Sequence, residues 1–285
     1  MRLIIRTIMP PNSVTTRLHP FGKLLHDWRR NRGKSQLALS LDAGVSTRHL
    51  SFIESGRANP SRDMVLLLAD VLDVPLRERN DLLTAAGFAE VYRESGLTQA
   101  ALGHARQAVD LILERQEPFP AVVMDRHWNV VTSNHPARQL FARLLEDRVL
   151  PGPPNVIRLM FHPEGVRRCV ANWEAVAASL LQRMHREAVG GRMDDILQAL
   201  FEEALTLAGM PARLLRTGKT TDDGAVLPVQ FRHAGLMLDF FSTLTTLGTP
   251  RDVTLQEIRI ECFHPADEGT AQRARKLFGA SPKSG

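Results

Sequence analysis

Residues 35–61 read S-Q-L-A-L-S-L-D-A-G-V-S-T-R-H-L-S-F-I-E-S-G-R-A-N-P-S. This run predicts two short helices joined by a tight turn, followed by a basic loop. Ser35 is placed to cap the first helix, which reaches about Ala43, because a serine hydroxyl accepts from the free amides of a first turn. Leu37, Ala38 and Leu41 fall at helical spacing and predict its inner stripe. Gly44 supplies the positive φ that ends a helix, and Val45 plugs the turn. Ser46 caps the second helix, which Leu50 and Ile53 anchor three residues apart. The face left over is Thr47, Arg48, His49, Ser51 and Phe52, mostly short polar or cationic groups near a helix start. A helix-turn-helix carries such a face into the major groove of DNA.

Charge is distributed in keeping with that placement. Residues 1–62 hold 11 Lys and Arg against 3 Asp and Glu, whereas the rest of the 285-residue chain holds 25 against 28. Neutralising phosphates requires the basic excess to sit at the interface. A solvated surface accounts for the asymmetry alone equally well; its coincidence with the two helices points to DNA. Two cysteines, Cys169 and Cys262, cannot build a disulfide framework, so a reducing cytoplasm is expected. No run approaches the roughly 18 apolar residues of a membrane span. The opening M-R-L-I-I-R-T-I-M-P-P is interrupted by Arg6, ends at Pro10-Pro11, and is too short for a signal peptide. Residues 1–20 read as a disordered tail, and Met9 is an alternative start.

Around the central run, Phe21–Arg32 reads as a helix with Leu24, Leu25 and Trp28 inside. Ser61 caps another, to about Leu72, and a last one spans Leu76–Ala86. Five helices make residues 21–90 an all-α domain. A joint follows at 88–97. Residues 98–280 then read as an α+β domain with an antiparallel sheet and helices packed on one face. Thr98–Glu117 is its first helix. Ala121–Asp125 and Asn129–Ser133 are short strands around Arg126-His127-Trp128, a hairpin without a glycine. Helices are expected over 135–146, Glu164–Val189 and Met193–Ala208. Strands are expected over Val226–Arg232, Leu236–Leu247 and about Val253–Phe263, with polar turns such as Thr220–Gly224 between them. Asp267–Phe278 closes as a helix. No repeat stands out.

S-Q-L-A (35–38), A-G-V-S (43–46) and L-S-x-I-E-S-G-R-x-x-P-S (50–61) resemble the Xre/Cro-type helix-turn-helix of phage repressors. By that resemblance Gln36, Arg57 and Asn59 meet phosphates, and Thr47, Arg48 and Phe52 occupy base-reading positions. Ser46, His49 and Ser51 lie near the backbone or groove edge. Arg29 and Glu54 form a structural ion pair. Phe52 departs from the polar residue usual there and either meets a thymine methyl or packs inward.

Residues 100–278 resemble the MmyB-like ligand-binding domain of bacterial regulators, a PAS-like fold. The fragments that carry the likeness are W-N-V-V-T-S-N (128–134), N-V-I-R-L-M-F-H-P (155–163), N-W-E (172–174) and E-C-F-H-P-A-D (261–267). The strand-like V-T-L-Q-E (253–257) and the acid-poor 210–224 depart from it. The resemblance implies a small apolar or acyl-type effector between sheet and helices. Trp128, Phe141, Phe161, Trp173, Phe231 and Phe240 are the aromatic candidates for its pocket, with ordinary core packing as the alternative for each. Arg158, Arg167 and Arg232 would meet a ligand carboxylate, unless they are simply solvated.

No phosphate-binding glycine loop, nucleophile elbow or dinucleotide fingerprint is present, so no enzyme is expected. The ten histidines form no metal-ligand spacing, so neither a metal nor a cofactor is expected. Partners expected are an operator in double-stranded DNA, a second copy of the chain, and the small effector. Alternatively the second domain serves only dimerisation or protein docking, with no ligand.

Overall fold

The computed structural model describes residues 21–96, 103–146, 148–190, 194–209 and 226–279. These divide into two compact units, residues 21–74 with 79–90 and residues 75–78 with 91–279. The expected tail at 1–20 and turn at 220–224 lie outside the described residues, as do the first residues of the helix expected from Thr98.

Five helices build the first unit: α1 (Phe21–Asn31), α2 (Gln36–Asp42), α3 (Thr47–Glu54), α4 (Arg62–Val71) and, from Arg79 onward, α5 (Leu76–Ala85). Ser35, Ser46 and Ser61 cap α2, α3 and α4, accepting from the amides of Ala38, His49 and Met64 at 3.0, 3.1 and 3.2 Å. Leu25, Trp28, Leu39, Leu50, Ile53, Leu68 and Leu83 meet in one core. The stripe expected on α2 is corrected. Leu37 and Leu41 are 58% and 73% exposed, and Leu39, Ser40 and Ala43 face inward instead. The rotation is set from outside the helix: the Ser40 and Thr47 hydroxyls lie 2.8 Å apart, turning Ser40's side of α2 towards α3.

The approach of α1 to α3 is close. A Cβ at Gly22 would lie 2.4 Å from the carbonyl oxygen of Glu54 and 2.7 Å from that of Ile53. One helical stretch further, Arg29 meets the Glu54 carboxylate in a fork, Nε to Oε1 at 2.6 Å and Nη2 to Oε2 at 2.9 Å. Both side chains are almost wholly buried. Arg29 Nη1 also donates to the Lys34 carbonyl, and Gln36 Nε2 donates to Glu54 Oε2 at 2.7 Å.

The second unit runs α6 (Gly103–Gln116), β1 (Ala121–Met124), β2 (Val130–Ser133), α7 (His135–Leu145), α8 (Val156–Phe161), a 3-10 turn at Val166–Cys169, α9 (Trp173–Gly190), α10 (Asp195–Ala208), β3 (Val229–His233), β4 (Leu236–Thr245), α11 (Val253–Glu257), β5 (Arg259–Pro265) and α12 (Glu268–Phe278). It is a PAS-like α+β domain with an antiparallel sheet in the order β2-β1-β5-β4-β3. Val122, Met124 and Phe263 face the main helical layer. The sheet is covered on its other face too, where Val109 and Leu113 of α6 meet Val123, Ile260 and Cys262, and Leu255 of α11 packs beside them. Buried on both sides, β1 is apolar throughout, Ala-Val-Val-Met.

Two expected elements are corrected. The helix expected over Glu164–Val189 is broken, because Ala171 donates to the Gln230 carbonyl and the Asn172 side chain bonds Gln230 and Pro228. Residues 170–172 therefore lie along β3, and α9 starts only at Trp173. The strand expected from Val253 starts at Arg259 instead. Asp252 accepts from the Thr254 amide at 3.0 Å and caps α11, which covers the sheet rather than joining it.

The glycine-free hairpin also has an explanation. Trp128 itself takes the left-handed conformation, at φ 64°, which is unfavourable for a bulky residue. Asp125 holds it there by accepting from the amides of His127 and Asn129 at 2.8 and 2.9 Å. Asn155 ties the same turn down, donating to the His127 carbonyl at 2.8 Å while its own oxygen caps α8.

The α1–α3 clamp yields two expectations. Arg29→Ala leaves Glu54 charged and buried and should cost the first unit about 3–5 kcal/mol, read as faster amide exchange in α1–α3 of the full chain; unchanged protection would refute it. Burial alone would raise the Glu54 pKa, but hydrogen bonds from Arg29 and Gln36 and the Arg29 charge prevail and hold it below the ordinary 4.5. A lowered carboxylate stabilises fully above its unfolded pKa, and that contribution is lost as pH falls through the folded value. The first unit should thus weaken below about pH 4.5, and Glu54→Gln should flatten that dependence in an acid titration followed by NMR.

Candidate functional sites

Burial of Leu50 and Ile53 decides which side of α3 is left to solvent. Arg48 and His49 are exposed there, with Ser51 and Phe52 half-buried beside them. Arg57 and Asn59, in the loop after α3, are also exposed. Ser46 is occupied as the helix cap, accepting from His49 N. Thr47 carries a restriction that the sequence did not show. Ser40 Oγ donates its single proton to the Leu37 carbonyl at 2.8 Å, so in the 2.8 Å contact between the hydroxyls Thr47 is the donor. Thr47 therefore has only acceptor lone pairs left for a partner. Gln36 must turn its amide nitrogen to Glu54, which accepts only, and among the described residues its second N–H has no partner.

Phe52 is not among the side chains packed on the helical core of its unit. Its ring lies beneath two guanidiniums instead, with the Arg48 and Arg57 carbons 5.4 and 5.2 Å from the centroid. Among the described residues neither arginine pairs with a carboxylate.

The second unit holds a cavity of about 290 Å³ between the sheet and α7, α8 and α9. Val122, Met160, Val176 and Leu180 make its walls, together with Phe141, Phe231 and Phe263. Of the six aromatic candidates, Phe141 and Phe231 are thus on the lining. Trp128, Phe161, Trp173 and Phe240 belong to the surrounding core. Phe161 and Trp173 meet edge to face at 5.9 Å, and Trp173 Nε1 donates to the Met160 carbonyl, which fixes that wall. Phe240 meets Phe263 in the same way at 6.2 Å. Trp128 lies under the Arg183 guanidinium, 4.4 Å away.

The arginines singled out in the sequence are engaged elsewhere. Arg158 pairs with Glu203 at 3.1 Å, Arg167 lies 3.7 Å over Trp173, and Arg232 pairs with Asp239. Polar groups on the cavity are Ser133, Arg138 and Glu261. Glu261 accepts from Ser242 Oγ at 2.6 Å. Glu261 and Phe263 were readable in principle. Ile258, Ile260 and Cys262 alternate towards α6, which leaves Arg259, Glu261 and Phe263 on the cavity face. Arg138 gave no such signal.

Cys169 and Cys262 are free and buried, and burial pushes both thiols up, away from the reactive thiolate. Among the described residues no His, Cys, Asp and Glu cluster is fit to hold a metal ion, and no helix is long and apolar enough to cross a membrane.

Residues 25–79 match the helix-turn-helix family, and residues 105–277, more than half of the chain, match the family described as MmyB-like transcription regulator ligand binding domain. No curated protein matches the chain. With a helix-turn-helix in its first unit and that domain making up most of its second, the chain belongs to the MmyB-like transcription regulators and is a DNA-binding regulator.

Proposed function

We propose that the regulator binds a two-fold operator as a homodimer in the cytoplasm and that a small apolar or acyl-type effector in the second domain modulates that binding. The observation that carries the effector is the cavity of about 290 Å³ with walls of aliphatic and aromatic side chains. Its size is at the lower end of the roughly 300–1,000 Å³ usual for ligand sites. A chain segment or single ring suits those walls, with a polar end at Ser133, Arg138 or Glu261. A domain used only for dimerisation or docking has no need of such a space, and a filled core would favour that reading instead. An effector shifts operator affinity by no more than its differential affinity for the two states.

On the DNA side, Arg48 is placed to fork onto guanine O6 and N7, and Thr47 to accept from a base amino group. Gln36, Arg57 and Asn59 anchor phosphates, and Ser46, His49 and Ser51 line the groove edge. Two-fold proteins mirror two-fold sites at about one helical turn per half-site, which is why a dimer is expected.

Two experiments test this. Sites selected from a random DNA pool supply the probe. Arg48→Ala should lower affinity about 5- to 150-fold and erase one guanine preference, whereas Arg57→Ala should weaken all sequences alike and reduce the salt slope by about one. Unchanged affinity and preference with Arg48→Ala would refute this docking of α3. For the effector, native mass spectrometry and solvent extraction of the purified chain should reveal an apolar molecule. Leu180→Trp, which fills the cavity, should abolish its co-purification while selected DNA is still bound. A bare wild-type chain would turn the reading towards a docking module.

A further inference from the structure

We infer that Phe52 reads no base itself and instead positions the two arginines that meet DNA, Arg48 on a base and Arg57 on a phosphate. This rests on the reading of α3 given under Proposed function and adds to it what orients the contacts. The ring is half-buried and, among the described residues, is not one of those packed on the core of its unit. Arg48 lies one turn earlier on the same face of α3, where residues four apart are neighbours. Arg57 is brought back onto the ring by the chain: its amide and that of Ala58 both donate to the Phe52 carbonyl, at 2.8 and 3.1 Å. The Arg57 side chain is steadied again by Ser55 Oγ, 3.1 Å from Nε. Both guanidiniums then lie within 5.4 Å of the ring centroid, inside the range of a cation–π contact.

No carboxylate competes for these arginines among the described residues. The ring is therefore the group that orders both of them before DNA arrives, with Ser55 adding a bond to Arg57. An arginine loses considerable rotamer freedom when it is fixed in an interface, and ordering it beforehand lowers that cost. Orientation matters most for Arg48, because a guanine is recognised by a planar fork and not by charge alone. A leucine or polar residue at position 52 would leave the charges in place without their plane. By this route one ring couples base reading to phosphate anchoring, and the aromatic residue that looks misplaced on a reading helix sets the specificity of its neighbour.

The test uses the full chain on a selected DNA site and on that site with the guanine opposite Arg48 replaced. Phe52→Leu removes the ring and keeps an apolar side chain. With each stack contributing about 2- to 5-fold, it should lower affinity roughly 4- to 25-fold and shrink the guanine preference, with thermal stability unchanged. Phe52→Tyr should restore both. Phe52→Leu and Arg48→Ala combined should lose less than the product of the single effects. Should Phe52→Leu fail to fold, Phe52→Met gives the same comparison. An Arg48→Ala effect that simply multiplies with that of Phe52→Leu, with preference lost at a thymine instead, would make Phe52 a direct reader and overturn the inference. So would unchanged affinity and preference in Phe52→Leu while Arg48→Ala acts. If Arg48→Ala itself changes nothing, the docking of α3 falls, and this inference with it.

Discussion

The buried pair between Arg29 and Glu54 decides how the first domain presents the exposed face of α3. The helix α3 is only eight residues long, too short to hold a direction by its own hydrogen bonds. Leu50 and Ile53 bury one side of it, but apolar packing is non-directional and tolerates rotation. A bidentate arginine–carboxylate pair tolerates little, since two parallel bonds fix the plane as well as the distance. Its net stabilisation is small once desolvation is counted, and its use lies in geometry. Glu54 is the last residue of α3, so fixing it fixes the angle at which Arg48 and Phe52 leave the helix. Gly22 complements the pair by letting α1 lie against the carbonyls of Ile53 and Glu54, where any side chain would push the two helices apart.

In the second domain, two buried asparagines, Asn134 and Asn155, and the partly buried Asn172 do comparable positioning. Asn134 accepts from the amides of Ala121 and Ala137 and donates to the Phe119 carbonyl, joining β1 to the start of α7. Asn155 joins the Trp128 turn to α8, and Asn172 joins the start of α9 to β3. Each serves two or more backbone groups that would otherwise lack a partner in the fold. The three segments thus tied down border the cavity, so its walls hold their positions without being filled from inside.

Caps and turn glycines made most of the first domain legible, because their signals are local. Ser35, Ser46 and Ser61 each announced a helix that the structure contains. The inner side of α2 was not legible. In a seven-residue helix Leu37/Leu41 and Leu39/Ala43 are equally good stripes, and the choice falls to Ser40 bonding Thr47 in another helix. In the second domain the errors share that cause. Residues 164–189 have helical periodicity throughout, but at 170–172 pairing with β3, some 60 residues away in sequence, prevails over it. Val253–Glu257 has strand-like residues, but Asp252 caps it as a helix and Leu255 is needed over the sheet. The family fragments were more informative than the pattern. Asn134, Asn155 and Asn172 each lie in one of them, and each proves to be a structural joint. The aromatic candidates illustrate the remaining limit. Large rings at helical or strand spacing fill core wherever the fold needs volume, and only position in the assembled sheet separates Phe231 from Phe240.

That cavity also bears on why an effector reading is physically economical. Interiors normally pack as densely as organic crystals. Unfilled apolar space in a core costs about 24 cal/mol per Å³, which for a cavity near 290 Å³ comes to an upper limit of about 7 kcal/mol. Open access on one side reduces this, yet it is large beside a typical net stability of about 5–15 kcal/mol. A sequence under no other demand would remove the cost easily, since larger side chains at Val122, Val176 or Leu180 would close the space. Aliphatic residues of middling size stand there instead, braced from behind by Trp173 against Phe161 and by Phe240 against Phe263. Trp173, Phe161 and Phe240 thus stand behind the walls, whose surface the aliphatic side chains share with Phe141, Phe231 and Phe263. An apolar molecule entering this space recovers dispersion contacts that the walls lack, and binding to the folded state alone makes that recovery a gain in stability.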